Sequence, residues 1–235
     1  MARKKQIHDV LRAGIPIAIG YFPAAVAFGI LAKSCGLSLL ESFLFSAVVF
    51  AGASQFIALN LLVAGTGPVG IVLTTLLVNF RHFLMSAYLS TRLKNIAGKE
   101  AFVIAFGVTD EVFSVLSFTP GHLSRFFVIS LQMFAYGAWV SGSVAGFVLG
   151  GFLPQVLTQS MGVALYALLL AILLPEIKKS YKAFVLTAAS GLLNMALIQT
   201  KLLPAGWTII VCILVIALIG AFWMADLFQE DDVHG

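Results

Sequence analysis

The chain has 235 residues, 60% of them hydrophobic and only 10% charged, which excludes a soluble globule and leaves no room for a sizeable soluble domain. The formal charge of +4 comes from Lys and Arg crowded at the N-terminus and in two loops, against an acidic tail after Trp223; it reads as membrane orientation and not as nucleic-acid binding. The two cysteines, Cys35 and Cys212, form no Cys-x-x-Cys pair, so no disulfide framework, metal site or other cofactor is expected.

The predicted class is an all-α polytopic membrane protein, a single transmembrane domain over 1–235. It has seven to eight hydrophobic segments, at least one of them broken or re-entrant. The basic stretch 1–10 precedes segment one, Leu11 to Lys33, read as a retained first span and not a cleaved signal. That segment contains Gly14, Pro16, Gly20 and Pro23, and the two prolines leave backbone carbonyls without donors, so either a tolerated kink or a broken helix is expected. Segment two, Leu39 to Ala64, has Ala51-Gly52-Ala53-Ser54-Gln55-Phe56 at its centre. Small residues there allow close helix packing, whereas the Gln55 amide needs partners in hydrocarbon, and an unwound turn would offer backbone groups to a polar ligand.

Segment three, Val69 to Thr91, carries Asn79-Phe80-Arg81-His82 at its middle, and segment four, Ala101 to Thr119, carries Thr109-Asp110-Glu111. If both are helical, Arg81 and Asp110 each lie roughly 15 Å from the short basic loop between them, at matched depth, and can meet. At helical spacing Arg81 and His82 point in different directions. Two adjacent carboxylates at this depth rarely both ionise without a cation, so one is expected to be protonated or to titrate near neutrality, as a proton-coupled carrier requires. Segment five, Phe126 to Gly150, puts Gln132, Tyr136, Trp139 and Ser143 on one face and Ala138, Gly142, Gly146 and Gly150 in a small-residue ladder suited to helix packing, within the chain or against a partner. Segment six, Met161 to Leu174, stops at Pro175-Glu176. Segment seven, Ala183 to Ile198, carries Thr187, Gly191 and Asn194 on one face; segment eight, Trp207 to Trp223, reads as a lipid-facing span. The acidic tail, 226–235, reads as a solvated end.

Charge and span count conflict. Basic residues mark the N-terminus, the 92–99 loop and the 178–182 loop as cytoplasmic. Three apolar stretches lie between each neighbouring pair, and equal sidedness needs an even number of crossings. Either the rule fails for one loop, or one stretch in each trio re-enters or crosses twice, with segment two, broken at Gly52 to Gln55, the candidate in the first and segment four or five in the second.

Phe50-Ala51-Gly52-Ala53-Ser54-Gln55-Phe56, Asn79-Phe80-Arg81-His82, Thr109-Asp110-Glu111 and Arg12-Ala13-Gly14-Ile15-Pro16 together resemble the AzlC family of branched-chain amino-acid exporters, over roughly 10–225. The resemblance implies a bacterial inner-membrane exporter of valine, leucine and isoleucine, sometimes methionine, working with a small hydrophobic AzlD-type subunit. The residues supply candidate roles beside it. Arg81 takes the substrate carboxylate and Asp110 the ammonium, with Ser54, Gln55 and Asn79 orienting both ends, and Glu111 or His82 carries a coupling proton. The competing reading makes Arg81 and its acidic partner a permanent structural ion pair, and His82, Gln55 and Asn79 helix–helix hydrogen-bonders. Two further classes stay open. Gly52-Ala53-Ser54 resembles part of the rhomboid serine-protease nucleophile motif, with His82 as base and Gln55 where a glycine is required; a passive channel would favour a ring of like residues, where opposite charges stand instead.

Overall fold

The computed structural model describes residues 2–93, 98–121, 123–152, 170, 174, 177–178, 180–200, 203 and 207–229. Segment six and its Pro175-Glu176 stop therefore lie almost wholly outside the described residues, as does the tail beyond Gln229. All described elements are helical: α1 Ala2–Ser34, α2 Leu39–Val49, α3 Gly52–Val63, α4 Pro68–Arg92, α5 Lys99–Phe106, α6 Asp110–Phe118, α7 Arg125–Leu149, α8 Tyr181–Thr200 and α9 Trp207–Gln229. Four of them are long and apolar enough to cross a membrane, and α5 with α6 makes a fifth candidate as a bent pair. The chain divides into two compact units, Met1–Leu59 with Asn79–Leu165, and Asn60–Val78 with Tyr166–Gly235.

The first unit is built on α1 and α7. Helix α1 is continuous through Pro16 and Pro23, so no interruption occurs there; each proline removes one hydrogen bond and the rest of the turn holds. Gly14 meets Phe134, Gly142 meets Phe22 and Ala25, and Gly146 meets Val26. Residue numbers rise together along both helices, so they run parallel. The approach is backbone to backbone: a methyl group at Gly146 would lie 2.1 Å from the Val26 carbonyl oxygen, and one at Gly29 would lie 2.0 Å from that of Ser143. The glycine ladder of segment five is thus spent inside the chain.

Two apolar stretches are broken. Helix α2 starts at a capping box, with Ser38 Oγ accepting from the Glu41 amide at 3.2 Å and Glu41 accepting from the Ser38 amide at 2.7 Å. It stops at Val49, Phe50 takes a left-handed conformation (φ 42°), and α3 restarts at Gly52. The break thus falls two residues ahead of the predicted Gly52–Gln55. The second break is Gly107-Val108-Thr109, where the chain turns by 112° between α5 and α6.

That second pair folds back on itself. The Arg92 guanidinium, at the end of α4, donates to the carbonyls of Leu116 (3.2 Å), Ser117 (2.6 Å), Thr119 (2.8 Å) and Gly121 (3.2 Å), capping α6. At the start of α5, Glu100 pairs with Arg125 at the start of α7, 2.9 Å apart. The pair therefore leaves and returns at one end of the unit. The first turns of α1 lie at that end too, since Gln6, Asp9 and Arg12 share a cleft with Phe118, Thr119 and Pro120. The start of α1 and the residues flanking the 92–99 loop therefore lie at one end of the unit, and within segment four the chain folds back on itself.

In the second unit α8 and α9 form an antiparallel hairpin. Lys182 Nζ donates to the Trp223 carbonyl at 3.0 Å, Leu186 packs on Gly220, and Cys212 lies 4.0 Å from Asn194 Oδ1. The start of α4, Pro68–Val78, belongs to this unit; its Thr74 hydroxyl returns to the Gly70 carbonyl at 2.8 Å.

Candidate functional site

Breaking a helix in hydrocarbon strands carbonyls and amides that must find partners. The polar face of α7 supplies most of them. Gln132 Nε2 donates to the Ile104 carbonyl at 2.8 Å, at the end of α5. The Tyr136 hydroxyl donates to the Ala47 carbonyl at 3.0 Å, at the end of α2. Trp139 Nε1 donates to Gln55 Oε1 at 3.0 Å, and the same oxygen accepts from the Ala51 amide at 3.2 Å, inside the first break. Gln55 Nε2 donates to Ser46 Oγ at 3.2 Å, and that hydroxyl donates to Ser143 Oγ at 2.7 Å.

A glycine stands at each break because α7 lies against it. A β-carbon at Gly52 would come within 2.6 Å of the Trp139 ring, and one at Gly107 within 2.6 Å of the Gln132 amide carbon. The two breaks face one another across aromatic rings: Phe50 lies 6.1 Å from Phe106 and 5.1 Å from Tyr136, and Tyr21 on α1 lies 5.6 Å from Trp139.

The charges gather where α6 begins. Thr109 is its N-cap, accepting weakly from the Val112 amide at 3.5 Å, and Asp110 and Glu111 occupy its first turn, where the positive end of the helix dipole favours carboxylates. Arg81 Nη1 lies 2.9 Å from Asp110 Oδ2, and the two side chains remain 41% and 48% exposed within the chain. The Tyr21 hydroxyl donates to the Glu111 carboxylate. Beside the pair, Asn79 Oδ1 and Arg81 Nε are shielded and have no partner among the described residues, and His82 is half-buried.

Of the residues the sequence singles out, Arg81 and Asp110 are in contact, and Glu111 and Asn79 are their chain neighbours. Ser54 and Gln55 are completely buried. Ser54 Oγ donates to the Ala51 carbonyl at 2.9 Å, and among the described residues no hydrogen bond joins Ser54 to His82, the dyad a hydrolase would need. Spacing alone puts Gln132, Tyr136 and Trp139 on one face but shows no task for them, and the only sequence signal for Tyr21 is a phenol amid the apolar residues of α1.

Helices of spanning length and a bent pair of apolar half-helices define a multi-pass membrane protein, here with an ionic pair at a half-helix N-terminus. The chain belongs to the AzlC family, described as AzlC protein, which it matches over residues 16–153. That span holds both breaks, the Arg81–Asp110 pair and the whole of α7. The chain is 34% identical over 220 residues to the Inner membrane protein YgaZ of Escherichia coli (strain K12), covering 89% of this chain and 88% of that one. It is 26% identical over 205 residues to the Branched-chain amino acid transport protein AzlC of Bacillus subtilis (strain 168), covering 84% and 80%. No solved structure matches.

Proposed function

We propose that the chain is a secondary transporter that exports branched-chain amino acids, valine, leucine and isoleucine with methionine as a looser substrate, across the bacterial inner membrane. It is coupled to protons, its N-terminus is cytoplasmic, and it works with a small AzlD-type membrane subunit. The observation that carries the reading is the Arg81–Asp110 pair: two opposite charges 2.9 Å apart, both about half exposed, at the start of a short half-helix. A zwitterion can part this pair without leaving either charge bare. Its carboxylate takes the Arg81 guanidinium, its ammonium takes Asp110, and one ion pair is replaced by two. Asn79 Oδ1, which has no partner among the described residues, is a further acceptor for the ammonium. The rings of Phe50 and Phe106 near the break suit an aliphatic side chain, with loose discrimination because one methylene is worth only about 1–3 kcal/mol.

Glu111 or His82 carries the coupling proton. Glu111 is the better placed, sharing the first turn of α6 with Asp110 and bonded to Tyr21 on a different helix. Ser54 and Gln55 serve the site by fixing the first break beside Phe50. The test is efflux of leucine from cells loaded with a leucine dipeptide. Asp110→Asn, inserted at normal levels, is expected to abolish proton-driven efflux. Unchanged efflux would remove Asp110 from the substrate site.

A further inference from the structure

At the end where α1 starts, α6 finishes and α7 starts, an open cleft of about 760 Å³ lies within the first unit. Asp9 and Arg12, one helical turn apart on α1, both line it, opposite Thr119 and Ser124. Among the described residues Arg12 has no ion-pair partner, and Asp9 has only His8, 3.9 Å away and on the same turn. The Gln6 amide lines it too, and the rest of the wall, including Val115 and Phe127, is apolar. An anion, a cation and an apolar wall around one space are the features that match an amphipathic zwitterion.

The cleft and the Arg81–Asp110 pair are joined by one element. Helix α6 has nine residues, about 13 Å of rise; Asp110 opens it, and Val115 and Phe118 near its end form the cleft wall. Arg92 caps that same end. We infer that the cleft is a second, outer site for the same class of free amino acid, an α-amino acid with an aliphatic side chain. Asp9 holds the ammonium, Arg12 the carboxylate, and Val115 and Phe127 the side chain, so that substrate waits one short helix away from the central pair. The ligand class rests on the proposed function; the existence of the cleft does not. A zwitterionic lipid headgroup shares the same charges, and the test separates it.

The test is equilibrium binding of radiolabelled leucine to the full chain in nanodiscs of phosphatidylglycerol. Two sites are expected. Asp9→Asn with Arg12→Gln should weaken the outer one roughly tenfold or more while leaving the central one intact, and Asp110→Asn should do the reverse, each variant showing that the other is folded. A single site, lost with Asp110→Asn and indifferent to the double variant, overturns the outer site and spares the central one. A single site lost with the double variant and kept by Asp110→Asn supports the outer site and overturns the central one. Loss of both sites in the double variant overturns their independence. A second site that vanishes when phosphatidylethanolamine replaces phosphatidylglycerol assigns the cleft to lipid and also overturns the proposal.

Discussion

Arg81 and Asp110 raise a question that single substitutions cannot answer. Asp110→Asn leaves a guanidinium uncompensated in the membrane, and breaking such a pair costs about 3–5 kcal/mol when it is buried, less here because both side chains are about half exposed. A purely structural pair and a substrate site would both fail. The double variant Arg81→Gln with Asp110→Asn removes both charges and is expected to restore membrane levels and thermal stability toward wild type while efflux stays absent. Recovery of efflux in that double variant would make the pair structural. Arg81→Lys keeps the charge but loses the planar fork, so the expected result is a KM for leucine raised roughly tenfold with little change in protein level. The meeting of these two charges was legible because each lies a similar number of residues from the basic stretch that joins their segments. The partner of Glu111 was not, since nothing local in α1 marks Tyr21 as facing α6.

Among the elements, α7 does two jobs on two faces. Its glycine edge packs on α1, and its polar face satisfies the broken ends of α2 and α5. Gly146→Leu is expected to prevent folding, because even a methyl group there would fall 2.1 Å from a backbone oxygen of α1. Gly137→Ala, on the same helix with nothing within 4 Å, is expected to be neutral in the same thermal melt. Gln55→Leu should cost at least 2 kcal/mol, about 1–3 for each of the Trp139 and Ala51 donors it would leave unpaired, whereas Trp139→Phe should cost only about 1 kcal/mol. Existence and length of the helices were readable from hydropathy, and the two faces of α7 from spacing. The site of the first break was read within two residues, because small and amide residues flag it, whereas the second, at Gly107-Val108-Thr109, was narrowed only to segment four or five. Which break α7 would satisfy was out of reach, since that depends on contacts between residues about ninety apart, such as Ala47 and Tyr136.

At the largest scale, one end of the first unit carries the start of α1, the end of α4, both ends of the α5–α6 pair and the start of α7. Single cysteines replacing Lys99 and Pro120 are therefore expected to react with a membrane-impermeant maleimide from the same side, and one replacing the exposed Phe152, beyond the far end of α7, from the opposite side. Labelling of positions 99 and 120 from different sides would turn the bent pair into a true crossing. The native thiols interfere little. Burial pushes the Cys35 thiol above its usual value, against a smaller opposing effect of the Ser34 hydroxyl, so it stays protonated and slow at neutral pH, and Cys212 is buried. Counting spans could not have separated re-entry from crossing, because α5 and α6 together are long and apolar enough for either.

The side-by-side run of α1 and α7 bears on how the chain is made. Gly146 emerges from the ribosome 120 residues after Val26, its neighbour in the finished structure, a delay of roughly 6–24 s at ordinary elongation speeds. Until then α1 has no mate for its glycine-lined flank, and the α2 and α5 breaks lack the donors that will close them. Surveillance proteases would meet an assembly intermediate with open backbone groups, so defects at Gly29 or Gly146 should register first as shortened lifetime of the newborn chain.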